Sequence, residues 1–169
     1  LFSQQGNGFR LTHLSELSQL ESNGLAMFPR PVYNRIPNFK GATEAATKLT
    51  ELEVFKNAST VKVNPDKPQE SVRLVFSEEI KKGTTLTVIF SEVCITDSVS
   101  LDLVVMGSVA VSREGYRIGK GRGYGDLEFG LIMHMKAIKP STVVVTTVHD
   151  CQVSCCNMLN EAVLIPHRL

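Results

Sequence analysis

Residues 101–111 read LDLVVMGSVAV. The run is almost unbroken in apolar and β-branched residues and shows none of the alternation of a sheet face open to water. That pattern belongs to a central strand covered on both faces. Working outward, residues 112–128 read SREGYRIGKGRGYGDLE, with Gly119, Gly121, Gly123 and Gly125 at alternate positions and Lys120, Arg122 and Tyr124 between them. The stretch LEFGLIMHMKAI (127–138) predicts a mostly buried helix, TVVVTTV (142–148) a second central strand, and AVLIP (162–166) a last strand. Strand, glycine loop, helix, strand is a βαβ unit, so the fold class is α/β with a parallel or mixed sheet.

Upstream, Leu11, Leu14, Leu17 and Leu20 recur every third position and predict a short amphipathic helix that Gly24 ends. In MFPRPVYNRIPNFKGA (27–42), Pro29, Pro31 and Pro37 deny a helix and predict an ordered, wrapped loop. Good helix formers with Ala46, Leu49, Leu52 and Phe55 on one face predict a continuous helix over 42–55. STVKVNP (59–65) alternates as a strand does, and PDKPQES interrupts it. VRLVF (72–76) reads as a resumed strand, EEIKKG (78–83) as a charged turn and GTTLTVIF (83–90) as a further strand.

With 169 residues, 43% of them hydrophobic, the chain suits one core, and a single domain over 1–169 is expected. Eighteen Lys and Arg balance seventeen Asp and Glu, so no global field attracts nucleic acid or an anionic membrane, and any anion site must be local. The longest apolar stretches are interrupted well short of a bilayer span, so no membrane partner is expected. The first residues lack the pattern of a secretory signal, which makes the cytoplasm the default compartment. Cys94 stands alone. Cys151, Cys155 and Cys156 cluster near His149 without the second ligand pair of a zinc site, which favours reduced thiols at a strand end. Lys40, Lys48, Arg30 and Arg35 form no dense basic stripe. His134 and His149 lie in apolar segments and read as core histidines without a catalytic role.

The glycine stretch admits two readings. As a loop leading into a helix N-terminus beyond a strand's carboxyl end, it is placed to approach a phosphate, with Lys120 and Arg122 cancelling charge and Asp126 holding a hydrated Mg²⁺. It also reads as a mobile turn with solvated cations and Asp126 as helix N-cap. It is neither a P-loop nor G-x-G-x-x-G, and spacing alone leaves both readings open. Arg117 is expected to brace the loop rather than touch ligand. Glu128 could support Arg122 or the metal, and reads more simply as an exposed first-turn carboxylate that complements the helix dipole.

LDLVVMGSVAVSREGYRIGKGRGYGD resembles the signature of the 5-formyltetrahydrofolate cyclo-ligase (methenyltetrahydrofolate synthetase) family. FPRPVYNRIPNFKGA, VKVNPDKP and VVTTVHDCQV extend the likeness from about Phe28 to Gln152. The resemblance implies a three-layer, Rossmann-like domain with a mostly parallel sheet and an ATP- and Mg²⁺-dependent ring closure of a reduced folate. By position it implies a phosphate cradle of Gly119, Lys120, Gly121, Arg122, Gly123, Tyr124 and Gly125. Arg122 and Tyr124 stand for a catalytic lysine and tyrosine, and Asp126 for a metal-associated aspartate.

The departures fall mainly on the folate side. Gly125 stands for a second tyrosine, Gly107 for a proline and Ser112 for an aspartate. Gln69 and Glu70 replace an acidic substrate turn. On the nucleotide side, the family's Lys/Arg-rich N-terminal helix, which helps hold the nucleotide, has no counterpart, since residues 1–24 hold only Arg10 as a strong cation. The expectation is a nucleotide-binding cyclo-ligase-like domain with a degenerate folate site. The alternative is a non-catalytic scaffold with a link to RNA, since related domain-containing proteins carry an RNA-recognition module that this chain does not show.

Overall fold

In the computed structural model, residues 17–89, 99–154 and 162–165 are described. In chain order the elements are β1 (Ala26–Met27), β2 (Asn38–Phe39), α1 (Ala42–Glu51), α2 (Glu53–Lys56), β3 (Thr60–Val63), α3 (Gln69–Lys81) and β4 (Thr87–Ile89). There follow β5 (Leu101–Val105), β6 (Ala110–Ser112), β7 (Arg117–Ile118), α4 (Tyr124–His134), β8 (Ile138–Thr147), a 3-10 turn (Asp150–Gln152), β9 (Val153–Ser154) and β10 (Ala162–Ile165). The main sheet has the order β10-β8-β5-β3-β4. Its four strands β4, β3, β5 and β8 are parallel, and β10 closes one edge antiparallel to β8. Helices cover both faces, so the layered α/β class expected from residues 101–148 is what the chain adopts.

The central strands divide their side chains between two cores, as the period of two requires. Val61, Val63, Leu103, Val105 and Val145 meet Ala46 and Leu49 of α1, Phe55 of α2, and Val72 and Phe76 of α3. On the opposite face Val104, Met106 and Val144 meet Ile132 of α4. Leu101 joins this second face, because the β5–β8 register shifts between Leu101 and Leu103. Thr142 Oγ1 holds the irregularity, donating to Leu101 O at 2.6 Å and accepting from Lys139 N at 2.9 Å.

Residues 17–22 end their helix as expected at Gly24, where φ is +64°. Leu25 N donates to Leu20 O and Gly24 N to Glu21 O, satisfying carbonyls that the helix end leaves without amide partners. Leu11 and Leu14 lie outside the described residues. The proline-rich strap is an ordered loop between the paired β1 and β2, and it buries Val32, Ile36 and Phe39 with Leu17, Leu20, Ala45 and Val109.

Four expectations are corrected. VRLVF is not a strand but the middle of α3: Gln69, Val72 and Phe76 are buried at i, i+3 and i+7 while Leu74 is exposed, a helical period that β-branched composition obscured. The helix expected over 42–55 breaks at Leu52, whose ψ of 141° is extended. The single face expected for Ala46, Leu49, Leu52 and Phe55 would not have formed in a continuous helix, because a spacing of three drifts by about 60° per step and leaves Phe55 about 120° around from Leu49. The break turns it into the core, where its ring centroid lies 4.6 Å from that of Phe76. LDLVVMGSVAV is not one strand, since the chain leaves the main sheet after Val105 and Ala110–Ser112 pairs with β7 and β9 in a separate three-stranded sheet. Finally, α4 is not mostly buried: Ile132 is its one fully buried residue, and Tyr124, Leu127, Leu131 and Met133 are exposed.

Candidate functional site

From β3 the chain passes through α3 to β4 on one side, and β5 lies on the other side of β3. The strand order therefore reverses beside β3. In open α/β sheets the crevice beyond the carboxyl ends of such strands is where ligands bind. Four segments converge there: Asn64–Gln69 after β3, Gly107–Val109 after β5, the glycine stretch 119–123, and the first turn of α4.

The loop is built on Arg117. Its guanidinium Nη2 donates to Gly107 O at 2.6 Å and its Nε to Ser108 Oγ at 3.4 Å. Ser108 is buried, and its hydroxyl meets that of Thr146 at 2.8 Å, so the base of the brace is tied to β8. A Cβ at Gly119 would lie 3.2 Å from Arg117 Nη2, and one at Gly125 3.3 Å from Met106 Cε. The absence of side chains at these glycines lets the loop lie close over the guanidinium. Burial lowers the pKa of Arg117 from its ordinary value, while the carboxylates of Asp126 and Asp66 act in the opposite sense. Arginine stays charged under such a shift. The brace read for Arg117 in the sequence is the contact observed.

Gly121 and Gly123 have φ of +77° and +72°, left-handed backbone that side chains rarely adopt. Gly123 is the N-cap of α4 and supplies no capping side chain. Asp126 is therefore not the N-cap that the turn reading required; it sits in the first helical turn. Leu127 N donates to Gly123 O as that turn closes, which leaves the preceding amides without a side-chain acceptor from the cap. Lys120 Nζ reaches across the crevice to Asp66 Oδ1 at 3.3 Å. Arg122, Tyr124 and Asp126 are exposed, and Arg122 makes no hydrogen bond or ion pair among the described residues. The structure thus places Gly119 to Asp126 together at the crevice.

Sequence reasoning missed Asp66, Lys62 and Asn64. Lys62 is 2% exposed and points to the α4 side of β3. Its Nζ pairs with Glu128 and donates to Asn64 Oδ1 at 3.2 Å, while Asn64 Nδ2 donates to Glu128 Oε2 at 3.0 Å. Glu128 is thus not a solvated first-turn carboxylate but the partner of a buried lysine. The signal available was a lone cation in an alternating strand, which more often faces water.

The remaining candidates separate from the site. His134 is exposed at the end of α4, contrary to the core reading. His149 is half-buried, its ring edge-on to Phe39 at 6.2 Å, and its Nδ1 accepts from Cys151 N at 3.3 Å and lies 3.2 Å from Cys151 Sγ. Cys94, Cys155 and Cys156 lie outside the described residues. Among the described residues no group of three or more His, Cys, Asp and Glu is placed to hold a metal ion, and no helix is long and apolar enough to cross a membrane.

Residues 91–157, which hold β5, the Arg117 brace, the glycine loop, α4 and β8, match the sequence profile of the 5-formyltetrahydrofolate cyclo-ligase family. Over that stretch the chain is similar to the family. It is similar to methenyltetrahydrofolate synthase domain-containing proteins: 44% identical to that of Danio rerio over 79% of this chain and 44% of the relative. Against that of Bos taurus the identity is 43% over 89% of this chain and 47% of the relative. Against that of Homo sapiens it is 43% over 79% and 43%. The chain spans less than half the length of these relatives.

Proposed function

We propose that this cyclo-ligase-like domain binds the phosphates of Mg-ATP in the crevice beyond β3 and β5, and that its folate side is degenerate. The observation that carries the reading is the uncapped N-terminus of α4, reached through two left-handed glycines at the point where the strand order reverses. Phosphate fits that chemistry, because the amides of the first turn donate and the helix dipole favours an anion. Gly119, Gly121, Gly123 and Gly125 keep the backbone bare. Lys120 and Arg122 supply positive charge, and Tyr124 a hydroxyl at the rim. Asp126, exposed in the first turn, is the carboxylate suited to Mg²⁺, a hard cation that takes oxygen ligands. When bound, ATP supplies the phosphoryl group that activates a formyl oxygen in the family's reaction. The chain's own residues orient and neutralise it.

The degenerate folate side rests on the turn after β3. Gln69 is fully buried and its Nε2 donates to Thr147 Oγ1 at 3.3 Å, while Glu70 is paired with Lys67. The buried carboxamide brings no negative charge, its Oε1 having no hydrogen-bond partner among the described residues, and the half-exposed Glu70 carboxylate is shared with Lys67, so neither reproduces an acidic substrate turn. Titration with Mg-ATP is expected to slow hydrogen exchange at the amides of residues 119–126. Unchanged exchange there sinks the phosphate reading. Asp126→Asn is expected to weaken Mg-ATP more than metal-free ATP, and equal weakening removes Asp126 from the metal.

A further inference from the structure

We infer that the buried Lys62 and Asn64, together with the half-buried Glu128, form a positioning set that holds the start of α4, and with it the glycine loop, at the crevice. The inference rests on the phosphate reading for its consequence but not for its geometry. Lys62 lies between Val61 and Val63, which point into the core beneath α1 and α3, so its side chain enters the face where Leu101, Val104, Met106, Ile132 and Val144 pack. An aliphatic residue would suit that face. Withdrawing the ammonium, and part of the carboxylate, from water is costly, and mutual attraction repays that cost only when geometry and extra hydrogen bonds are good, so such a pair is weak support for stability. What it supplies is direction. The three side chains close a ring of contacts, and Arg73 Nη1 donates to Asn64 O at 3.1 Å, tying the ring to α3 as well.

The need for such an anchor is visible in α4. None of its residues from Tyr124 to Glu128 is buried, Leu127 is 70% exposed, and the apolar hold on the helix begins only at Phe129 and Ile132. The turn that carries the loop therefore has little packing to fix its height or rotation. Glu128 is its bond to the sheet, and Lys120–Asp66 ties the other end of the loop to the segment that follows Asn64. The two links bracket residues 120–128, one made to a buried lysine and one to an exposed lysine, and both start within the five residues 62–66. Binding groups held by locked neighbours lose affinity when those neighbours are freed, even though the groups themselves remain.

The test replaces all three side chains with apolar ones, Lys62→Met with Asn64→Leu and Glu128→Met, so that no buried partner is orphaned. The single change Lys62→Met is the disruptive control. The triple variant is expected to melt within a few degrees of the wild type, yet to show faster ligand-free hydrogen exchange at 119–128 and about tenfold weaker binding of Mg-ATP. Exchange and affinity that both return with the melting temperature would overturn the inference, because a purely structural role predicts that recovery. If the wild type itself does not bind Mg-ATP, the phosphate reading fails while the ligand-free exchange still decides the anchor. If the triple variant does not fold, exchange in Glu128→Gln decides it, faster exchange confined to 119–128 supporting the anchor and a uniform rise opposing it.

Discussion

Gly107 sits where three distant parts of the chain meet: a Cβ there would lie 2.8 Å from Ile36 Cγ2, 2.9 Å from Asp66 Oδ2 and 3.0 Å from Gln69 Oε1. Gln69 is fully buried and Asp66 is held by Lys120, so neither yields without breaking a contact. Gly107→Ala is expected to destabilise the protein by about 1–3 kcal/mol, seen as a lower denaturant midpoint at unchanged slope. An unchanged midpoint would mean that the crevice wall is softer than its packing indicates. The position was noticeable in the sequence only as a glycine after an apolar run, because the crowding comes from residues far away along the chain. The same distance hid the partner of Lys62, which lies sixty-six positions on at Glu128. Arg117 was legible, since a cation entering a glycine-rich loop has few roles besides bracing it or meeting its ligand.

At the scale of elements, β3 begins on Asp102 of β5, whose Oδ2 accepts from Ser59 N at 2.9 Å and Thr60 N at 3.1 Å. Asp102→Ala leaves both amides without that acceptor and is expected to cost about 1–3 kcal/mol, with faster exchange at the start of β3. A loss confined to β5 would contradict the link. The helix at 17–22 is joined to the proline-rich strap by Glu21, which accepts from Arg30 Nε at 2.9 Å, from Arg30 Nη2, and from Val32 N at 2.9 Å. The Arg30 hydrogen bonds first, and the Val32 amide second, hold the Glu21 carboxyl below its ordinary 4.5. A lowered folded pKa adds stability above the unfolded value that is lost as pH falls through the folded one. The melting temperature should therefore fall more steeply in the wild type than in Glu21→Gln as pH drops below about 4.5; parallel curves would show that the carboxyl is not coupled to folding. The elements themselves were partly legible. Runs that alternate or are apolar but for one residue, such as 59–65 and 101–105, gave the strands β3 and β5. Residues 72–76 misled because a short β-branched run carries no period of its own until Gln69 is counted with Val72 and Phe76.

For the molecule as a whole, the order strand, glycine loop, helix, strand was enough to place the loop beyond the carboxyl end of a strand, while the reversal of strand order there is visible only in the sheet itself. Catalysis was not legible in the same way, because it depends on charges at the mouth of the crevice. With Gln69 buried and Glu70 paired, the chain is expected to convert 5-formyltetrahydrofolate and Mg-ATP to the methenyl product slowly or not at all. The acidic substrate turn and the N-terminal cations expected to hold the nucleotide are the two missing charged contacts, and at about 2–4 kcal/mol each they amount to several orders of magnitude in rate. Rapid conversion that Arg122→Ala and Asp126→Ala abolish would restore full cyclo-ligase activity and discard the degenerate reading. The register of the central strands has a separate consequence for how the chain reaches this state. Val61 aligns with Leu103, and Leu103 with Val143, so each central pairing closes a loop of roughly forty residues before any ladder bond forms. Such non-local closure slows the search, whereas α1 and α3 rest on local bonds. Refolding should accordingly run nearer milliseconds to seconds than microseconds. Amides of β5, flanked on both sides, should be the last to exchange, with opening free energies close to that of global unfolding.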